Sequence, residues 1–238
     1  MPFGDDDDND YGAQPDWQQR FDAQWGLSRR GVPLPPDADW RTRGALKPFE
    51  RNLLRNPNPE GVNVSEPAPP CSPEAPCKPQ DYEGLFKGWQ ISTEPVTAAH
   101  KEVHPRFDSL RYSWCVKQQC IDLLAEGLWV ELLDLYQPNI TVLDWYENSK
   151  LANSVYELHV QLLGTDEATV IGEFRHVAEE RPQDGENKNW QDVSHVFQRY
   201  GPGVRYVHFL HKTKQVETLA GLRRTRATDS SVSVQLRD

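Results

Sequence analysis

Cysteine is scarce in this chain, with four in 238 residues. That is too few for the disulfide framework of a small secreted scaffold, and it fits thiols kept reduced. No apolar run reaches the roughly 18 residues that a bilayer-spanning helix needs. The opening stretch, MPFGDDDDND, lacks both the basic and the apolar segment of a secretory signal. Positive charge is in deficit as well: 26 Lys+Arg stand against 36 Asp+Glu, a formal net charge of −10. Such acidity argues against general attraction to phosphate backbones or anionic bilayers. The composition therefore predicts a cytoplasmic protein with no membrane span and no nucleic-acid partner.

Proline is nearly missing from the second half. Residues 1–105 hold 16 of the 19 prolines, and residues 106–238 hold three. Proline fixes φ and removes a donor, so the first part cannot be mainly helix or sheet interior. Residues 1–50 read as an acidic, Pro-rich, largely irregular segment, and residues 51–238 as the packed domain. Within the segment, Asp5 to Asp8 and Asp10 form a solvated acidic run. Trp17, Phe21 and Trp25 recur at helical spacing behind Asp16, a candidate N-cap. That helix either docks on the main domain or binds a partner.

From about residue 86 the period becomes two. Tyr156, Leu158, Val160 and Leu162 alternate with polar residues, and Ser231 to Leu236 repeat the pattern. Ile140–Tyr146, Thr169–His176, Trp190–Phe197 and Val204–Leu210 are rich in β-branched and aromatic residues. Turn-forming clusters such as Gly164-Thr165-Asp166 and Gly201-Pro202-Gly203 separate them. Short strands without intervening helices predict an all-β, antiparallel sandwich. One short helix is expected around Leu128 to Asp134. Trp114, Trp145, Phe197, Val204 and Phe209 are expected in the core.

Motifs for chemistry are thin. Cys71/Cys77 and Cys115/Cys120 lack zinc-type spacing, and residues five apart in a strand point to opposite faces. The same parity separates His208 from His211. Asp192, Ser194 and His195 are too close along one strand to build a nucleophile–base–orienter chain. No P-loop, nucleophile elbow or dinucleotide glycine pattern is present. No catalytic residue, metal ligand set or cofactor is expected. Residues 211–238 carry six Lys+Arg against three Asp+Glu, which reads as a charged edge strand or as a site for an acidic partner.

A series of motifs in order is more specific. It comprises Arg51-Asn52-Leu53-Leu54-Arg55-Asn56-Pro57, Asp122-Leu123-Leu124-Ala125-Glu126-Gly127, Asp144-Trp145-Tyr146, Ser194-His195-Val196-Phe197, Tyr200-Gly201-Pro202-Gly203 and Thr228-Asp229-Ser230-Ser231-Val232. Over residues 51–238 the chain resembles the F-box-associated domain of the sugar-recognising F-box proteins. The resemblance implies a jelly-roll-like sandwich of about ten strands. It also implies a substrate receptor of a cullin–RING (SCF) ubiquitin ligase that grips the inner chitobiose of N-glycans on misfolded glycoproteins.

Both implied functions meet departures in this sequence. An F-box is a bundle of roughly 40 residues in apolar-faced helices, yet residues 1–46 hold only Leu27, Leu34 and Leu46 as leucines beside five prolines. Glycan-binding members place an aromatic before Trp-Cys, matched here by Tyr112. They place an Asp after Asp-Trp-Tyr, where this chain has Leu151, and a Tyr-Trp-Lys trio where it has Thr218, Leu219 and Ala220. The expectation is a non-enzymatic recognition protein for a protein or glycoprotein partner, with the F-box, the SCF adaptor link and the sugar site degenerate. The alternative is a cell-surface immune recognition receptor.

Overall fold

Alternating burial decides how the chain folds. In the computed structural model, which describes residues 16–60, 86–96, 111–147, 154–179, 190–218 and 221–238, nine strands form two antiparallel sheets. They are β1 (Gln90–Pro95), β2 (Arg111–Asp122), β3 (Asn139–Glu147), β4 (Tyr156–Leu163), β5 (Val170–Val177), β6 (Trp190–Phe197), β7 (Tyr206–Thr218), β8 (Gly221–Arg224) and β9 (Ala227–Gln235). One sheet runs β1-β2-β7-β4-β5, with β8 paired to the far end of β7, and the other runs β6-β3-β9. Tyr156, Leu158, Val160 and Leu162 of β4 are fully buried, as their spacing predicts. They face Ile140, Val142, Val232 and Val234 of the second sheet in one apolar cluster.

Neither of the two tryptophans expected in the core is buried there. Phe197, Val204 and Phe209 are buried, but Trp114 and Trp145 are half-exposed. In β3 the even positions point inward, so Asp144 and Tyr146 are buried while Leu143 and Trp145 face out. Apart from Asp144 the inward face is apolar, with Ile140, Val142 and Tyr146, whereas the outward face mixes Leu143 and Trp145 with Asn139, Thr141 and Glu147. Asp144 enters the core because it is fully hydrogen-bonded there. Its carboxylate accepts from His211 Nδ1 at 2.7 Å, from the Ser230 hydroxyl at 2.6 Å and from the Tyr156 hydroxyl.

The described part of the N-terminal segment, residues 16–50, holds more regular structure than its proline content suggests. Helix α1 (Trp17–Trp25) starts on Asp16, whose carboxylate accepts from the Gln19 N–H. It ends on Gly26 at φ 62, a left-handed conformation that glycine adopts most easily. Helix α2 (Trp40–Leu46), which hydrophobic spacing does not reveal, starts on Asp39 in the same way. Phe21 and Trp40 pack against Phe49 and Trp129, with Trp40 and Trp129 edge to face at 5.4 Å. The α1 helix thus docks on the sandwich. Trp129 lies just before a π-helical turn, Leu132–Tyr136, which stands where the helix between strands is expected. Gly127, at φ 100, lets α2 approach. A Cβ there would stand 3.1 Å from that of Leu46.

The Arg51-Asn52-Leu53 stretch covers an edge. Glu50 and Leu53 donate backbone N–H groups to Val234 and Val232, and Asn52 Nδ2 donates to the Ser230 carbonyl. The outer side of β9 is therefore paired, which removes a template for aggregation. Within the basic stretch 211–238, β7 is central, flanked by β2 and β4, whereas among the described strands β8 pairs only with β7 and β9 ends its sheet beneath residues 50–53.

Candidate functional site

One end of the sandwich gathers the start of β2, the β7–β8 hairpin, the end of β3 and the start of β9. The register fixes this. Tyr112 pairs with Val216, Val216 pairs with Arg223, and Thr218 pairs with Gly221 at the hairpin tip. Tyr146 of β3 pairs with Ala227 of β9, and the Glu147 N–H donates to the Arg226 carbonyl. Tyr112 and Thr218 are thus brought to one end. Leu151, Leu219 and Ala220 lie outside the described residues, as do Cys71 and Cys77.

The aromatic surface at this end is held by charge. Trp114 pairs with Lys214 across β2 and β7, and the Lys214 ammonium lies 5.7 Å from the ring centroids of both Tyr112 and Trp114. Lys214 is only 5% exposed, so these cation–π contacts are poorly screened by water and fix both rings. Nearby, Glu147 accepts from Arg226 Nε at 3.0 Å and Nη2 at 2.8 Å, and that guanidinium covers Trp190. Its hydrogen bonds to Glu147 hold Arg226 firmly in the charged state. Rigid, half-exposed aromatic faces braced by cations provide stacking surface and hydrogen-bonding edges. They provide no nucleophile or general base.

A buried charge cluster lies behind the hairpin, and sequence reasoning missed it. Glu60 takes an ion pair from Lys117 at 3.1 Å and another from Arg224, and its Oε2 accepts the Ala227 N–H at 3.0 Å. Burial opposes the Glu60 charge, but Lys117 and Arg224 outweigh it and bring its pKa down to about 2. The ring of Phe86 lies 5.2 Å from Lys117 and 5.4 Å from Arg224. Of the basic residues at 211–238, Arg224 is thus spent inside the fold, while Lys212 pairs with Glu94 at the surface.

The other candidates separate as parity requires. Cys115 is buried and Cys120 exposed. His211 is buried in the Asp144 network, while His208 meets Gln118 on the other face. Asp192 and Ser194 are exposed, and His195 stacks on Phe174 at 4.3 Å. Among the described residues no group of three or more His, Cys, Asp or Glu could hold a metal ion.

Residues 45–234 match the family described as "F-box associated region". The chain belongs to that family. The protein "F-box only protein 50" of Homo sapiens is 52% identical over 215 residues, which cover 90% of this chain and 73% of that protein. Its counterpart in Danio rerio is 42% identical over 92% of this chain and 96% of its own length. The "F-box only protein 2" of Bos taurus is 35% identical over 89% of this chain and 68% of that one. The F-box-associated sandwich thus spans most of the chain, and its strand ends carry the aromatic surface described above.

Proposed function

We propose that this chain is a non-enzymatic recognition protein of the F-box-associated type, acting in the cytoplasm and presenting the Tyr112 end of its sandwich to a protein or glycoprotein partner. The observation that carries this reading is the pair of aromatic faces, Tyr112 and Trp114, pinned by Lys214 beside the β7–β8 hairpin. An aromatic held in place before binding loses little entropy on contact with a sugar face or an apolar side chain. The sugar site is degenerate because Leu151 and Thr218 to Ala220 supply neither the carboxylate nor the Trp and Lys of glycan-binding members. The wild type should bind immobilised chitobiose and denatured high-mannose glycoprotein at background level. Micromolar affinity for chitobiose would overturn this reading.

The ligase link is proposed to be lost as well. Helices α1 and α2 bury Phe21 and Trp40, their largest inward-facing side chains, in the same cluster as Trp129, so these anchors are engaged by the sandwich rather than by a separate bundle. Immunoprecipitates should then lack the F-box-binding adaptor and cullin. Stoichiometric adaptor, lost when residues 1–46 are deleted, would contradict this. The F-box names of the relatives favour a recognition protein of this type over a cell-surface receptor.

A further inference from the structure

We propose a second binding site at the opposite end of the sandwich, a three-arginine pocket that takes a phosphate monoester carried on a peptide. The strands separate it from the Tyr112 end: the eight steps along β3 from Asn139 to Glu147 span roughly 26 Å at the usual rise. A cavity of about 650 Å³ there is lined by Arg29, Arg30, Tyr136, Arg237 and Asp238. It continues into a groove of about 720 Å³ that shares Arg29, Arg30 and Asp238 and runs past Trp25 and Leu236.

Arg30 and Arg237 are held in place in advance. Asp22 accepts from the Ser28 N–H at 2.7 Å and the Ser28 hydroxyl at 2.5 Å, fixing the turn that carries Arg29 and Arg30. Arg30 donates Nε to the Trp25 carbonyl at 3.3 Å and Nη1 to the Arg237 carbonyl at 2.5 Å. Arg237 lies over the Tyr136 ring at 4.6 Å and donates to the Tyr136 carbonyl, while the Tyr136 hydroxyl both accepts from the Arg237 N–H and donates to its carbonyl. Donors remain unused. Among the described residues Arg29 makes no hydrogen bond or ion pair, and the buried Arg237 Nε and Trp25 Nε1 have no partner.

The charge balance selects the ligand. Three guanidinium groups face one lining carboxylate of the cavity, Asp238, which is fully exposed and 3.8 Å from Arg30, while the adjoining groove adds Glu50 and Asp22, the latter engaged by Ser28. An exposed pair at that distance competes weakly with an incoming anion. Planar guanidinium forks match the three oxygens of a phosphate monoester. A chain of net charge −10 repels long polyanions and anionic bilayers, whereas a single phosphate feels chiefly the local arginines at physiological salt. The groove past Trp25 and Leu236 then receives the residues flanking a phosphorylated side chain.

The test is calorimetric titration of the full chain with inorganic phosphate, then with a capped Gly-phosphoserine-Gly peptide and its unphosphorylated form. Saturable binding of phosphate and of the phosphorylated peptide alone is expected. Arg29→Gln should weaken it by about tenfold or more, and Asp238→Asn should tighten it. Arg29 anchors nothing in the fold, so its variant should melt like the wild type. The site is refuted if Arg29→Gln binds phosphate as the wild type does. It is also refuted if chloride at equal ionic strength gives the same heat, or if only phosphoinositide vesicles bind. Chitobiose binding at the other end is independent of all these outcomes.

Discussion

The imidazole Nδ1 of His211 lies 2.7 Å from the Asp144 carboxylate, joining the β7 sheet to the β3 sheet through the middle of the core. Tyr156 and Ser230 bring two hydroxyls to the same carboxylate, one from each sheet. Trp89 stacks on the imidazole at 5.2 Å and an interplanar angle of 3°. Burial, followed by the Asp144 charge, holds the Tyr156 hydroxyl protonated and donating. Asp144→Ala would leave three buried donors without an acceptor, a loss of roughly 3–5 kcal/mol. For a chain of this size that is a fall in Tm on the order of 10 °C. Asp144→Asn keeps an acceptor and should cost less. Urea melts of both variants check the order.

The strands with clean alternation were legible in the sequence, and the buried charges were not. Tyr156 to Leu162 announce both the strand and its inward face, and Asp16 before Trp17, Phe21 and Trp25 announces α1. Asp144 and Lys117 read as surface residues because their partners lie far along the chain, at His211 and Glu60. Trp145, expected inside as a large aromatic, instead lies on the odd, outward face of β3 opposite Asp144. Helix α2 was hidden for a different reason. It is seven residues long, contains Gly44, and depends on the Asp39 cap and on Trp40 packing against Trp129. At the candidate end of the sandwich, the Tyr112 ring is visible in the sequence as an aromatic before Trp-Cys. The Lys214 brace is not, because it requires the β2–β7 register.

Acid should reveal the Glu60 cluster. Its folded pKa of about 2 lies below the ordinary 4.5. A depressed carboxylate stabilises the fold above the unfolded value, and that contribution is lost as pH falls from 4.5 towards about 2. Glu60→Gln removes the ionisable group and leaves Lys117 and Arg224 buried without their counter-charge. It should cost roughly 3–5 kcal/mol at neutral pH. Its stability curve should also be flatter than that of the wild type through this acid range. An equal acid slope in the two proteins, measured by urea melts across pH, would show that other carboxylates dominate.

Trp129 ties the N-terminal segment to the sandwich. It is 1% exposed, its Nε1 donates to the Pro33 carbonyl at 2.7 Å, and it touches the rings of Phe21, Trp40 and Phe49. Trp129→Ala removes a large buried ring and should cost roughly 3–5 kcal/mol. Because the lost contacts are those of α1 and α2, limited proteolysis should cut between residues 16 and 46 before the strands. Cleavage first within β3 or β4 would show that the helices hold on without this residue. Trp145→Ala, on the outer face of β3, should cost clearly less.

Introducing the residues that glycan-binding members carry tests the proposal that the Tyr112 end is a degenerate sugar site. A charged hydrogen bond contributes on the order of 1.5–3 kcal/mol, so two or three such partners, if supplied, would amount to about a thousandfold in affinity. The brace of Lys214 under Tyr112 and Trp114 is intact, and the hairpin closes at Thr218 and Gly221. Leu151→Asp combined with Thr218→Tyr, Leu219→Trp and Ala220→Lys should therefore raise chitobiose affinity from background by about that factor, read by calorimetry or by capture on immobilised chitobiose. Adding Tyr112→Ala to the restored protein should abolish the gain, because the stacking face beside the hairpin is then removed. If the restored protein melts like the wild type yet fails to bind, backbone geometry at this end has changed along with the side chains. If it binds equally well without the Tyr112 ring, the aromatic platform lies elsewhere.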